Sequence, residues 1–273
     1  MRSYMKQGWR IAVKHMYVIV LLFLYQLIWG FFLYRYVESA VTPLLRRWPA
    51  AAPNDYAVSI FLSEAQFQLV KTSLATPYLW LLGGLLAARM LLTPLFNAGL
   101  LYSIHHARDD GGTRFFEGIH RSWRTVGLLY LAQMALTAAP ALWLAPKAAQ
   151  AFRSSGSIAE IASQLAPGAA GWLLWSVALH LLSLAMQFGV VSGAGAFQAL
   201  GTALRRLLPY AALTVAMWGI SLMTGLLATF VSLLWVGLFA LILHQGYSFI
   251  RTLLKVWTLA AQYESLHPQP VQS

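Results

Sequence analysis

The feature that most constrains this chain is a series of long segments that carry no charge. Met16–Tyr34 forms a run of 19 residues without a charged side chain, and Leu207–Leu243 forms an apolar run that no polar loop interrupts. A helix needs about 20 mostly apolar residues to cross the hydrocarbon core of a bilayer. These segments therefore predict transmembrane helices.

The composition also indicates a lipid environment. Hydrophobic residues make up 59% of the 273-residue chain and charged residues only 10%, with a mean hydropathy of +0.62. A soluble domain carries about a quarter charged residues, and a water-soluble fold of this size could not cover so much apolar side chain with so little polar surface. We predict an all-α integral membrane protein that forms a single polytopic membrane domain over residues 1–273.

Six spans account for the apolar segments. Four of them are separate: Met16–Tyr34, Pro77–Ser103, Val126–Ala145 and Gly171–Gly195. The final run, Leu207–Leu243, is too long for one span, and we divide it at a turn near Met223–Thr229. The alternative is one long or broken helix followed by a seventh segment, Tyr247–Ser265. Because that segment carries three charged side chains, it is interpreted as a cytoplasmic extension of the last helix.

Basic residues determine the predicted orientation. With the N-terminus inside, twelve of the 19 Lys and Arg residues lie on the cytoplasmic side, six lie outside, and Arg89 lies in the membrane. The positive-inside rule then places both termini in the cytoplasm of a cell-membrane protein, which requires an even number of spans. The long outer loops are Arg35–Thr76, with a short interfacial helix over Leu62–Ala75, and Pro146–Ala170. The net charge of +11 is thus assigned to lipid headgroups and not to nucleic acid.

Three segments that enter the membrane from the cytoplasm resemble one another, and we call them the lead-ins: Gly8–His15, Gly118–Thr125 and Ala199–Arg206. Each begins with a small residue, has a second small residue four positions later, and then has a base. The pattern predicts amphipathic helices on the inner membrane surface, and three hairpins of about residues 1–105, 106–196 and 197–273. The alternative is that any cytoplasmic segment ahead of a span tends to be basic and amphipathic. The predicted contacts with anionic lipid headgroups are Arg10, Lys14, Arg121, Arg124, Arg205 and Arg206.

The lead-ins and the C-terminal Ala260-Ala261-Gln262-Tyr263 also carry a resemblance. Together with six spans, they resemble a loose group of bacterial membrane proteins that is similar to the membrane domain fused to glycerophosphodiester phosphodiesterases. The resemblance implies a multi-pass cell-membrane protein without an assigned activity. It transfers no catalytic residue, because this chain has no phosphodiesterase barrel.

Arg89 is the residue with the strongest claim to function. A charge near the bilayer centre costs about 2.5–3.5 kcal/mol on insertion scales, and no acidic residue lies in any predicted span to pair with it. Its partner is either a backbone carbonyl freed by Pro94, the Asn97 amide or His180, or else an anionic lipid or substrate. We favour a structural arginine that bonds to carbonyls at a helix kink, and the alternative is a ligand site of Arg89, Asn97 and His180.

The sequence contains few residues that could form a catalytic or metal site. The chain has no cysteine and only eight acidic residues, and no catalytic motif is present. His105-His106-Ala107-Arg108-Asp109-Asp110 is interpreted as a solvated loop and not as a metal site, so no metal and no cofactor are predicted. We expect a non-enzymatic accessory, scaffold or assembly factor with a possible protein partner in the membrane. The alternatives are a transporter or lipid-handling permease component with an anion site around Arg89, and an intramembrane enzyme.

The predicted orientation is tested by thiol labelling, since the chain has no cysteine of its own. Cysteines introduced singly at Ser3, Gly112 and Ser273 should resist a membrane-impermeant reagent in intact cells, whereas a cysteine at Asn54 should react. Labelling at Gly112 from outside the cell would contradict the topology.

Overall fold

The fold is described from a computed structural model, for residues 2–45, 75–107, 114–154, 158–234 and 238–266. Within these ranges every regular element is an α-helix. In chain order the helices are α1 (Arg2–Lys14), α2 (Met16–Leu45), α3 (Ala75–His105), α4 (Arg114–Ser154), α5 (Ile158–Val191), α6 (Ala196–Arg205), α7 (Leu207–Leu234) and α8 (Leu238–Leu266). The predicted interfacial helix over Leu62–Ala75 lies outside these ranges except for its last residue.

Five of the described helices are long and apolar enough to cross a membrane. Their apolar stretches are Met16–Thr42, Thr76–His105, Arg114–Ala151, Glu160–Val191 and Leu207–Ser232. The all-helical class is thus confirmed, and several helices fit a multi-pass membrane protein. The arrangement of six spans in three hairpins stays a prediction.

The predicted outer loop Pro146–Ala170 is wrong for most of its length. Helix α4 continues through Pro146 to Ser154, and α5 already begins at Ile158. Both flanks are rich in alanine, the residue with the highest helix propensity, and this favours helix well beyond the hydrophobic stretch.

The predicted turn near Met223–Thr229 is also wrong, because α7 runs without a break to Leu234. The hydroxyl of Thr224 donates to the Ile220 carbonyl at 2.8 Å, and that of Thr229 donates to the Gly225 carbonyl at 3.0 Å. Such bonds to the carbonyl four residues earlier let a hydroxyl residue stay inside a helix.

Helix α8 runs antiparallel beside α7. The Gln262 amide donates to the Thr214 hydroxyl at 2.8 Å, and a Cβ added at Gly225 would lie 2.7 Å from the Tyr247 hydroxyl. Residues 247–262 therefore lie level with residues 214–225, inside the apolar stretch of α7. The interpretation of Tyr247–Ser265 as an extension beyond the last span is corrected accordingly.

The chain divides into two compact units, residues 21–93 and a larger unit of Met1–Val20 with Pro94–Ser273. In the smaller unit, the Tyr78 hydroxyl donates to the Ser39 carbonyl at 3.3 Å, and the Tyr25 and Thr93 hydroxyls lie 3.4 Å apart. These contacts join the part of α2 in this unit to the first part of α3.

The larger unit has an apolar core to which six helices contribute. Tyr210 of α7 and Phe188 of α5 are its largest fully buried side chains. The core residues are Ala98, Leu101, Tyr102, Val126, Leu181, Leu184, Ala185, Phe188, Val191, Ala203, Tyr210 and Leu266. The C-terminal parts of α3, α5 and α8 therefore meet in one place.

Each lead-in packs against the C-terminal part of one of these three helices. A Cβ added at Gly8 would lie 2.7 Å from the backbone nitrogen of Ala261 on α8. A Cβ at Gly118 would collide with Tyr102 on α3, and a Cβ at Gly189 on α5 would collide with Ala199. The first small residue of every lead-in thus marks a close helix–helix approach, which is the use that membrane proteins make of small residues.

The second small residue of each lead-in is buried too. Ala12 and Ala203 are 0% exposed and Ser122 is 6% exposed. The stripe of small residues therefore faces protein, and it is not the surface that dips into the acyl region. The side chains Trp9 and Val13 on α1 remain exposed.

The lead-ins differ in how they join the span that follows. Single turn residues, His15 and Arg206, separate α1 from α2 and α6 from α7, but α4 passes through the equivalent Thr125 without a break. Pro209 has no amide hydrogen to donate to Arg205, which accounts for the break before α7. Leu128 holds the corresponding place in α4. A threefold repeat of helix–bend–helix units is therefore incorrect, although the packing of the small residues occurs three times.

This packing predicts which glycines tolerate a methyl group. Gly8→Ala, Gly118→Ala and Gly189→Ala should each lower the free energy of unfolding by about 1–3 kcal/mol, because the added Cβ overpacks the contact. Gly201→Ala is the matched control, since Gly201 lies on α6 with nothing within 4 Å of an added Cβ. Thermal unfolding in detergent measures the difference. Equal melting temperatures for Gly8→Ala and Gly201→Ala would contradict the packing.

Candidate functional site

Three polar or aromatic side chains meet where α3, α5 and α8 converge, and we call them the end junction: His105, Phe188 and Tyr263. The His105 Nδ1 lies 2.6 Å from the Tyr263 hydroxyl, and the Phe188 and Tyr263 rings meet edge to face at 5.3 Å. One tyrosine therefore ties the three helices together. The prediction of a solvated loop at His105-His106 is wrong for these two residues, which are half-buried; Asp109 and Asp110 lie outside the described residues.

Further polar pairs surround the end junction. The Tyr102 hydroxyl donates to the Glu117 carboxylate at 3.0 Å and links α3 to α4. Glu264 and Gln262 on α8 are each 3% exposed, and the Gln262 amide bonds to Thr214 on α7. Buried polar groups in a mainly apolar protein are costly unless they are bonded, so these pairs favour one register of the helices over its neighbours.

The six predicted lipid-contacting bases are all exposed. They belong to α1, to the N-terminal part of α4, and to α6 with the turn residue after it. These are the segments whose small residues pack against the C-terminal parts of α3, α5 and α8. Arg124 lies over the Trp123 ring at 5.6 Å, an arrangement of cation and aromatic ring that suits an interface. Exposure is what a contact with headgroups requires, and the contact itself stays a prediction.

The structure places the three predicted ligand residues in different settings. Arg89 belongs to the unit of residues 21–93; its side chain is exposed, and its backbone carbonyl accepts the Thr93 hydroxyl at 2.7 Å. Asn97 and His180 belong to the larger unit, where Asn97 is half-buried and His180 is exposed. The His180 Nδ1 lies 3.2 Å from the Gln133 amide nitrogen on α4.

In the larger unit, Asn97 and His180 lie at the same level along the helix axes as Lys255, which the sequence did not single out as a site residue. Asn97, His180 and Lys255 each stand eight residues before a member of the end junction on helices that run the same way. Eight residues of helix span about 12 Å. Lys255 also lies close enough to His180 to act on it electrostatically. We call these three residues, with Gln133, the mid-span layer.

The sequence contained a signal for Lys255. Arg251 and Lys255 are four residues apart and exposed, whereas the next residues, Thr252 and Val256, about 100° further around α8, are buried. One-sided placement of charges is typical of a helix packed lengthwise against protein. This pattern argues against a cytoplasmic position for Tyr247–Ser265.

A cavity of about 580 Å³ opens between α4 and α5, toward the end of the two helices that lies away from the end junction. The Lys147 ammonium lies 3.5 Å from the centre of the Trp143 ring at its edge. The cavity is lined by Trp143, Leu144, Lys147, Gln150, Ala151, Gln164, Leu165, Pro167 and Gly168. Among the described residues, no group of three His, Asp or Glu side chains could hold a metal ion.

The end junction predicts a specific loss on removing one hydroxyl. Tyr263→Phe keeps the ring contact with Phe188 and removes the bond to His105, so the free energy of unfolding should fall by about 1 kcal/mol. Tyr130→Phe is the control, because Tyr130 makes no hydrogen bond within the described ranges. Chemical unfolding in detergent compares the two. A Tyr263→Phe protein as stable as the control would show that the hydroxyl contributes nothing.

Comparison of the chain with models of protein families, with curated proteins and with solved structures finds no match. The resemblance to the membrane domain fused to glycerophosphodiester phosphodiesterases therefore stays a prediction.

Proposed function

We propose that this chain is a non-enzymatic accessory or scaffold protein of a cell membrane, which acts by holding other components in place. One observation carries the proposal: all three lead-ins close on the ends of α3, α5 and α8. Contacts this close, each made at a glycine, leave little room for sliding, so this end of the larger unit forms a stiff platform.

The polar groups near this platform support the same function. Tyr102 bonds to Glu117, His105 to Tyr263 and Thr214 to Gln262. In each pair the two partners come from different helices, as expected of groups that hold helices together. An assembly factor needs such internal rigidity so that its outer surface keeps one shape.

The exposed bases supply the surface for lipids. Arg10, Arg121 and Arg206 stand on different lead-ins, and all three are exposed. Each Lys or Arg near an anionic leaflet contributes about 1 kcal/mol of attraction. We propose that this end faces the cytoplasm, with both termini inside, and that it anchors the platform to anionic headgroups.

A second function, a lipid-handling permease component, is favoured by the mid-span layer. An amide, an imidazole and an ammonium group at one height offer donors to an anion, and Lys255 and His180 are both exposed. This version of the anion site uses Asn97 and His180 as predicted. It replaces Arg89, which belongs to the other unit, with Lys255.

Access of water to the mid-span layer distinguishes the two functions. A cysteine introduced at Gln133 should not react with a small anionic methanethiosulfonate from either side of a sealed vesicle if the chain is a scaffold. A cysteine at Ser3 is the reactive control, because Ser3 lies exposed on α1. When the chain is expressed at its native level and extracted into lipid nanodiscs, it should also be recovered in a complex of fixed stoichiometry. Labelling at Gln133 together with recovery of the chain alone would overturn the scaffold and support the permease.

A further inference from the structure

Arg89 stands near the middle of a membrane-crossing helix and faces outward. It lies 13 residues after Thr76 and 16 residues before His105 in a stretch of 30 apolar residues. Its side chain is exposed, and its guanidinium makes no hydrogen bond or ion pair within the described part of the chain. Leu86 and Leu92, three residues to either side on the same helix face, are exposed as well. The arginine therefore points out from an apolar surface at membrane depth.

Lipid headgroups are too far away to neutralise Arg89. The hydrocarbon core of a bilayer is about 30 Å thick, so a residue near the middle of the stretch lies about 15 Å from either headgroup region. Long basic side chains reach the interface by snorkelling only from positions near the ends of a span. The counter-charge must therefore come from within the membrane.

Within the ranges that the structure describes, no carboxylate stands in the middle of a membrane-crossing stretch. Where an acid is near, an arginine of the same unit does pair with it: Arg35 contacts Glu38 at 2.9 Å, close to the end of α2. Of the described acids, Glu38, Glu117 and Glu160 lie within four residues of an end of their apolar stretch. Glu264 follows Tyr263 of the end junction, where α8 ends. A second copy in the same orientation would bring these described acids to the same heights, away from Arg89.

We infer that the face of α3 around Arg89 docks a transmembrane helix of a different protein, one that carries an Asp or Glu near its midpoint. The planar guanidinium binds a carboxylate through two parallel hydrogen bonds, and this pairing is strongest where water is excluded. The exposed leucines beside Arg89 supply the apolar contact that a second helix needs. This inference rests on the proposed scaffold function and names the chemistry of the partner.

Model helices test the inference without knowledge of the partner. The full chain, labelled at a cysteine introduced at Ser3, is reconstituted in phosphatidylcholine vesicles with a labelled Leu-Ala helix that carries one central Glu or one central Gln. Energy transfer measures association. We expect the Glu helix to bind the wild-type chain about tenfold more tightly than the Gln helix.

Substitutions at Arg89 assign that preference to one residue. Arg89→Leu should abolish it, and Arg89→Lys should retain part of it, because an ammonium is a point charge without the planar fork. Arg35→Leu is the matched control; it removes an exposed arginine of the same unit and should leave the preference intact. Arg89→Gln, of similar polarity and without charge, should behave as Arg89→Leu does. Thermal unfolding confirms that each variant is folded before its binding is compared.

Several results would overturn the inference. Equal binding of the Glu and Gln helices would do so, and so would a preference that survives in Arg89→Leu. Loss of the preference when phosphatidylglycerol is added would show that an anionic lipid occupies Arg89. Energy transfer between two copies of the chain could also depend on Arg89. If the Glu helix does not compete with that transfer, the face is a self-association surface. A failure here, with a fixed-stoichiometry complex still recovered in nanodiscs, would refute this docking face and leave the scaffold function standing.

Discussion

The close approach of small residues to the ends of three helices is the interaction on which the larger unit depends. In a bilayer the hydrophobic effect does not drive helices together, because lipid tails are as apolar as leucine. Packing contacts and hydrogen bonds must do so instead. Gly8 against Ala261, Gly118 against Tyr102 and Gly189 against Ala199 are three such contacts, and they recur at matching places in the lead-ins.

The polar arrangement follows from that packing. Once the lead-ins hold α3, α5 and α8 together, Tyr263 can reach His105 and Phe188, and the side chains eight residues earlier come to one height. Gln262 is then close enough to Thr214 to bond to it. The same platform leaves the bases of the lead-ins exposed at its rim. The packing of the lead-ins thus accounts both for the rigidity of this end and for the exposure of its bases.

Much of this could be predicted from the sequence, because apolar length and local spacing are local properties. The all-helical class, the positions of four long apolar helices and the small residues of the lead-ins needed only such patterns. The direction in which the small residues point did not follow from them, because at an interface a small apolar residue suits lipid and protein alike. Only the contact of Gly8 with Ala261, which are far apart in sequence, decides it.

Two predictions from the sequence were wrong because the contact that stabilises the segment cannot be seen in the sequence. A turn was predicted at Met223–Thr229 because Thr and Gly are weak helix formers, yet the Thr224 hydroxyl is satisfied within the helix. The segment with Arg251 and Lys255 was placed outside the membrane because charge opposes burial in lipid, and its pairing with α7 was not visible. With those two bases removed from the cytoplasmic side, ten bases still oppose six, so the predicted orientation keeps its support.

Disulfide formation tests the central claim most directly, because the native chain has no cysteine. Three double variants test the contacts: Gly8→Cys with Ala261→Cys, Gly118→Cys with Tyr102→Cys, and Gly189→Cys with Ala199→Cys. The two Cβ atoms of the first pair would lie 3.0 Å apart, and those of the other two pairs would lie closer still. A disulfide needs about 3.5–4.5 Å, so each cross-link requires only that the two helices separate slightly. Mild oxidation in native membranes should cross-link all three pairs within one molecule. Gly201→Cys with Ala261→Cys should not cross-link, since an added Cβ at Gly201 has no neighbour within 4 Å. Failure of the Gly8–Ala261 pair, or equal cross-linking of the control, would contradict the account.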